Sequence, residues 1–191
     1  MLENNNPQLI KVWDPLVRLG HWSLVVAFLV CYFTQEQEYE LHLTSGYVVL
    51  SIILIRILWG FVGTRYARFS NFVYSPTKIL RYLKGFIQNH SPAYTGHNPA
   101  GGLMIILLFL GNLVIAISGI ALDAAENRAG PLGDTHAFMY LSYIENTHVW
   151  ATNVTVGLII LHILGVATAG FIHRENLARA MITGKKRLRS L

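Results

Sequence analysis

A chain of 191 residues, 53% hydrophobic and only 13% charged, is too apolar for an ordinary soluble domain, and its length suits one domain spanning residues 1–191. The net charge of +5 does not point to nucleic acid, because the basic residues are interleaved with long apolar runs; an anionic membrane surface explains them better. Cys31, the only cysteine, excludes a disulfide framework and any Cys-x-x-Cys pair.

The first twenty residues mix Asn, Pro, Lys and Asp and show no cleavable leader pattern, so the first helix is expected to be retained. Leu16 to Thr34 is the first stretch long enough to cross a hydrocarbon core of about 30 Å. An acidic link, Gln35 to Leu41, leads into His42 to Val62, and two spans joined so tightly are expected to be antiparallel neighbours. The connection from Gly63 to Ala100 contains Pro76 to Gln88, where Ile, Leu and Phe alternate with Lys78, Arg81 and Lys84. That pattern predicts a short amphipathic helix lying on the membrane surface. Gly101 to Leu122 is a third span without charge, Asp123 to Asn146 a polar link, and Thr147 to His173 the fourth span. The basic run Lys185-Lys186-Arg187-Leu188-Arg189 follows, and Asn4-Asn5-Asn6 reads as a frayed start. The expected fold is an all-α membrane protein, a bundle of four spans over about 16–34, 42–62, 101–122 and 147–173.

Charge sets the expected orientation. The connection between spans two and three carries five basic and no acidic residues, and the segment from His173 onward carries six basic and one acidic. The other two links carry seven acidic residues and one base, Arg128. Because positive loops stay inside, both termini are expected in the cytoplasm.

The histidines then fall at two depths. His148 and His162 are fourteen residues apart in span four, which is about 40° short of four helical turns and about 21 Å of rise. Both rings leave one face. With the N-terminus inside, His42 matches the depth of His148 on the outer side, and His21 that of His162 on the inner side. One histidine near a membrane boundary is ordinarily just an interfacial polar group, but four that pair by depth suggest metal ligands. Two imidazoles on opposite faces of a planar macrocycle would fill both axial positions of an iron, leaving a site that passes electrons but has no open position for oxygen. Without Cys-x-x-Cys-His, such a haem would be held by coordination alone.

Further residues fit that scheme, each with a plainer alternative. Gly46, one turn after His42, leaves room for a haem or for close helix packing, as do Thr152, Thr155, Gly157 and Gly165 in span four. Arg56 follows His42 by fourteen residues, so it should lie near the inner level and pair with a haem propionate, unless it snorkels to the headgroups. Arg18, one turn before His21, suits snorkelling. His97 and Asn98 at the entry to span three, and His173 at the exit of span four, would place proton-accepting and hydrogen-bonding groups near the inner level, as a quinone site requires. Capping explains them equally. His90 and His136 read as solvated.

Val12-Trp13-Asp14-Pro15 with Arg18-Leu19-Gly20-His21-Trp22, Leu41-His42-Leu43-Thr44-Ser45-Gly46-Tyr47 followed by Arg56, Gly96-His97-Asn98-Pro99-Ala100-Gly101-Gly102, the His148/His162 spacing, and His173-Arg174-Glu175-Asn176-Leu177 with Met181-Ile182-Thr183-Gly184-Lys185 together resemble the bacterial cytochrome b561 and nickel-iron hydrogenase cytochrome b family of di-haem, four-helix membrane proteins. The resemblance covers nearly the whole chain. It implies two b-type haems with the pairings above and a multi-pass place in the bacterial inner membrane. It also implies exchange with the quinone pool and a second redox partner, which in the wider group is a hydrogenase, a formate dehydrogenase, a periplasmic c-type cytochrome or superoxide. The chain stops soon after span four, where the hydrogenase subunits continue, which is an expectation against a dedicated hydrogenase partnership.

The reading is a quinone-linked electron-transfer oxidoreductase with no assigned catalytic residue. Its acidic outer face, Glu36, Glu38, Glu40, Asp123, Glu126, Asp134 and Glu145, would steer a basic soluble cytochrome and repel superoxide, although ordinary charge bias across a membrane accounts for it too. One rival is a metal or proton transporter, which is expected to carry carboxylates within its spans, where this chain has none. Another is a haem-binding or haem-free anchor for a larger oxidoreductase such as a hydrogenase.

Overall fold

The computed structural model describes residues 9–35, 37–88, 90, 92 and 94–187. Asn4-Asn5-Asn6, Glu36 and the Leu188-Arg189 end of the basic run lie outside them. The protein is mostly helical. Its four long helices, α1 (Pro15–Thr34), α2 (Tyr39–Val62), α4 (Pro99–Asn127) and α5 (Leu141–Ile172), are each long and apolar enough to cross a membrane. Between α2 and α4 lies α3 (Pro76–Ile87), and after α5 come α6 (Leu177–Thr183) and the short strand β2 (Lys185–Arg187), which pairs antiparallel with β1 (Leu9–Lys11).

The long helices exceed the apolar runs that announce them. α4 continues five residues past Leu122 through Asp123 and Glu126, α5 starts six residues before Thr147, and α2 begins at Tyr39 rather than His42. Hydropathy reports the part of a helix that suits hydrocarbon, whereas the backbone ladder continues until a breaker ends it. For α4 the break comes after Asn127, where Arg128 at φ 52° and Gly130 at φ 69° take left-handed conformations. Many apolar side chains on the long helices point outward, Leu19, Phe33, Leu58, Phe61 and Phe171 among them, as a hydrocarbon solvent allows.

The chain divides into two compact units. The first comprises Met1–Leu19, Leu58–Leu103 and His162–Leu191, and the second Gly20–Ile57 and Met104–Leu161. In the first, Val12, Trp13, Val17, Ala67 and Ala180 form a core flanked by Trp59, Tyr66 and Met181. Asp14 caps α1: its Oδ1 accepts from the Val17 amide at 2.9 Å, and its Oδ2 from Trp59 Nε1 at 3.0 Å and Thr64 Oγ1 at 2.6 Å. Burial pushes this carboxyl up, but the hydrogen bonds from Thr64, Trp59 and the Val17 and Leu16 amides outweigh it and hold the pKa below 3.8. The carbonyl of Gly184, itself at φ 79°, accepts from both the Val12 and Trp13 amides. Lys186, in the basic run that follows span four, is buried; its Nζ pairs with Glu175 at 2.9 Å and donates to the Tyr94 carbonyl at 3.2 Å. In the second unit, Ala27, Val49 and Ile53 form a core with Leu24, Cys31, Ile57 and Leu113.

Candidate haem-binding site

Two expected ligands meet in the second unit. His42, in the first turn of α2, and His148, in the third turn of α5, face each other with ring centroids 6.3 Å apart and ring planes at 66°. The Nδ1 of His42 lies 2.9 Å from the Cys31 carbonyl, and the Nδ1 of His148 3.0 Å from the Ile115 carbonyl and 3.1 Å from Ser118 Oγ. A carbonyl only accepts, so Nδ1 must be the protonated nitrogen in both rings. Ser118 already donates its hydroxyl proton to the Val114 carbonyl at 2.6 Å and therefore serves His148 as an acceptor. Each ring is left with a bare Nε2 lone pair, the tautomer a metal ligand requires.

The spacing suits a shared metal. Two imidazoles bound in line by bonds of about 2 Å, with about 1.1 Å from nitrogen to ring centre, would have centroids about 6 Å apart. Two nitrogens do not complete a coordination sphere, and among the described residues no group of three or more His, Cys, Asp or Glu comes together as a metal site. A tetrapyrrole would supply the further nitrogens that these two histidines do not. A Cβ added at Gly46, one turn after His42, would meet nothing within 4 Å, so there is open space beside that helix. At Gly119 a Cβ would stand 3.1 Å from His148 Cε1; glycine there lets α4 approach the ring. The donor set and the open flank fit a haem.

The remaining candidates are placed as follows. His21 belongs to the second unit and stacks edge-on against Trp22 at 5.2 Å, whereas His162 belongs to the first, as a half-buried residue of α5. Arg56 is half-buried in the second unit with its guanidinium 5.8 Å from the centre of the Phe109 ring, a cation–π contact. In the first unit, His97 sits between Trp13 at 4.4 Å and Phe72 at 5.1 Å. Asn98 caps the helix, its Oδ1 accepting from the Gly101 amide at 2.7 Å. His173 follows the last turn of α5, half-buried, its amide bonded to the Ala169 carbonyl at 2.9 Å.

Sequence reasoning missed the groups that orient the rings. Nothing in the spacing of Cys31, Ile115 or Ser118 links them to a histidine on another helix. A further cluster, Asp123 accepting from the Tyr39 hydroxyl and from Asn127 Nδ2, was hidden because Asp123 was assigned to a link; it is buried inside α4.

Residues 12–184 match the family model of the prokaryotic cytochrome b561 proteins. Among curated relatives, the chain is 26% identical over 211 residues to a probable Ni/Fe-hydrogenase B-type cytochrome subunit of Azotobacter chroococcum, covering 92% of this chain and 87% of that protein. It is 25% identical over 188 residues to the probable Ni/Fe-hydrogenase 1 B-type cytochrome subunit of Escherichia coli K12, covering 83% and 77%, and 21% identical to a Bradyrhizobium diazoefficiens counterpart over 94% and 87%. No solved structure matches the chain significantly. With four apolar helices and a family match across most of its length, the chain is a multi-pass bacterial membrane protein that belongs to the prokaryotic cytochrome b561 family of haem b electron-transfer proteins.

Proposed function

We propose that this protein carries electrons across the bacterial inner membrane through two b-type haems, one held by His42 and His148 and the other by His21 and His162. The observation that carries the reading is the His42–His148 pair, two imidazoles 6.3 Å apart with both Nδ1 atoms bonded to backbone carbonyls. When bound between such rings, haem b supplies a one-electron couple. The chain's own residues do the rest. Cys31 and Ile115, through their carbonyls, and Ser118 fix the tautomer and tilt of the ligands and make them better electron donors. Gly46 leaves room for the macrocycle, Gly119 lets α4 close on the His148 ring, and Arg56 offers a cation for an inner propionate. The termini face the cytoplasm. One end exchanges with quinone, with His97 and His173 as its polar groups, and the other with a periplasmic redox partner such as a c-type cytochrome, or with superoxide.

The test is a dithionite-reduced minus oxidised spectrum of the purified protein with haem quantified per chain. Two haems b in the parent, falling to about one in both His42→Ala and His162→Ala, is the expected result. No haem after expression with adequate haem supply overturns the reading. The names of the relatives favour a second reading of the partner, a hydrogenase bound directly as a membrane subunit's complex. Copurification of a hydrogenase with the tagged protein from native membranes selects this arrangement; a haem-loaded chain that isolates alone and is reduced by quinol selects the free carrier.

A further inference from the structure

α3 has three faces rather than two. Ile79, Tyr82 and Phe86, spaced three and four residues apart, turn towards the rest of the first unit; Tyr82 is only 4% exposed and its ring meets Tyr94 at 5.7 Å. A second apolar stripe, Pro76, Leu80, Leu83 and Ile87, has the same 4-3-4 spacing but faces outward, with Leu80 66%, Leu83 38% and Ile87 82% exposed. The remaining sector carries Lys78, Arg81 and Lys84, all exposed, and the helix contains no acidic residue. Lys78 is held over the Tyr74 ring at 4.4 Å.

An amphipathic helix packed only on its own protein would have one apolar stripe. α3 has a second, bordered by cations, and in water that stripe would expose four large apolar groups in a row. We propose that α3 is a docking surface for anionic phospholipid: the Pro76/Leu80/Leu83/Ile87 stripe enters the acyl boundary of the bilayer while Lys78, Arg81 and Lys84 hold headgroup phosphates. Charge complementarity selects this occupant. The connection from residue 63 to residue 100 carries five basic and no acidic residues, a composition that attracts an anionic surface and gives a protein partner nothing but cations to pair with.

Two measurements on the full chain test this. In liposomes containing phosphatidylglycerol, a membrane-impermeant maleimide should label Leu80→Cys and Leu83→Cys at least about tenfold more slowly than Thr77→Cys on the polar face, with the parent and its Cys31 as background. Equal rates overturn the proposal, since the stripe would then face water or await a soluble partner. In native mass spectrometry from mixed detergent–lipid micelles, the parent should retain phosphatidylglycerol over phosphatidylcholine, and the Lys78→Glu/Arg81→Glu/Lys84→Glu chain should lose at least about tenfold of that preference at unchanged haem content. A parent without preference, or a haem-loaded triple variant that keeps it, overturns the headgroup assignment. If the triple variant fails to load haem, the three glutamine substitutions replace it with the same expected loss.

Discussion

The Asp14 and Lys186 clusters of the first unit and the histidine pair of the second use their polar groups in different ways. In the first, donors and acceptors close on one another: Asp14 receives Trp59, Thr64 and the Val17 amide, Gly184 receives two amides, and Lys186 meets Glu175 and the Tyr94 carbonyl. In the second, His42 and His148 place their Nδ1 atoms on Cys31, Ile115 and Ser118, and their rings face each other with centroids 6.3 Å apart. With Nδ1 protonated, each half-buried ring keeps an Nε2 lone pair that can bind a metal. The first arrangement is therefore one of stability and the second one of ligand capture, and substitutions should sort accordingly.

The largest effect is expected at the histidines. His42→Ala or His148→Ala should remove one haem per chain, read by pyridine haemochrome assay, while the far-ultraviolet helix signal persists; loss of helix with the haem would erase the contrast between the units. Lys186→Ala should have the converse signature. It leaves the half-buried Glu175 without its cation, which costs about 1 to 3 kcal/mol, read as a lower melting temperature in detergent, with the double change Glu175→Gln/Lys186→Met recovering most of it. Asp14→Ala should cost about 2 kcal/mol, because an amide, an indole N–H and a hydroxyl lose their acceptor. Asp14 also sharpens the comparison through pH. Its carboxyl titrates below 3.8 in the folded chain, so its stabilisation is complete above that value and fades as pH falls through the lower folded pKa. Asp14→Asn should lack this acid limb in a melting series. The smallest effect is expected at Ser118→Ala. Haem content should not change, but weakening the acceptor for His148 Nδ1 makes the ring a poorer donor to ferric iron. The potential of that haem should rise by up to about 40 mV, the one-electron equivalent of about 1 kcal/mol, with Ser118→Thr restoring it.

Much of the scaffold was legible in the sequence because lipid imposes a coarse rule, roughly twenty apolar residues per crossing. The four spans follow from it directly, and the α3 helix from its alternation of apolar and basic residues. Helix ends did not, since Asp123, Glu126 and Glu145 continue helices beyond the apolar runs. The His42–His148 partnership was legible from depth alone, because helical rise converts sequence position into height. The tertiary acceptors were not: His148 meets Ile115 and Ser118 across thirty-three and thirty residues, and no local pattern encodes that. Lys186 shows the limit from the other side. A run of three cations reads as a basic tail, yet strand pairing with Leu9–Lys11 turns its middle member inward onto Glu175. Alternation along a strand places neighbours on opposite faces, a period too short to see in three residues.

That strand pair also bears on how the protein is made. Leu9 is registered with Arg187 and Lys11 with Lys185, so the first and last described segments must end on the same side of the bilayer. Only an even number of crossings allows this. A nascent chain in which one span failed to insert would leave β2 stranded across the membrane from β1, and Asp14, Gly184 and Lys186 could not complete their contacts. β1 cannot pair until the four spans that precede β2 have been synthesised, and its closure then requires an even number of crossings.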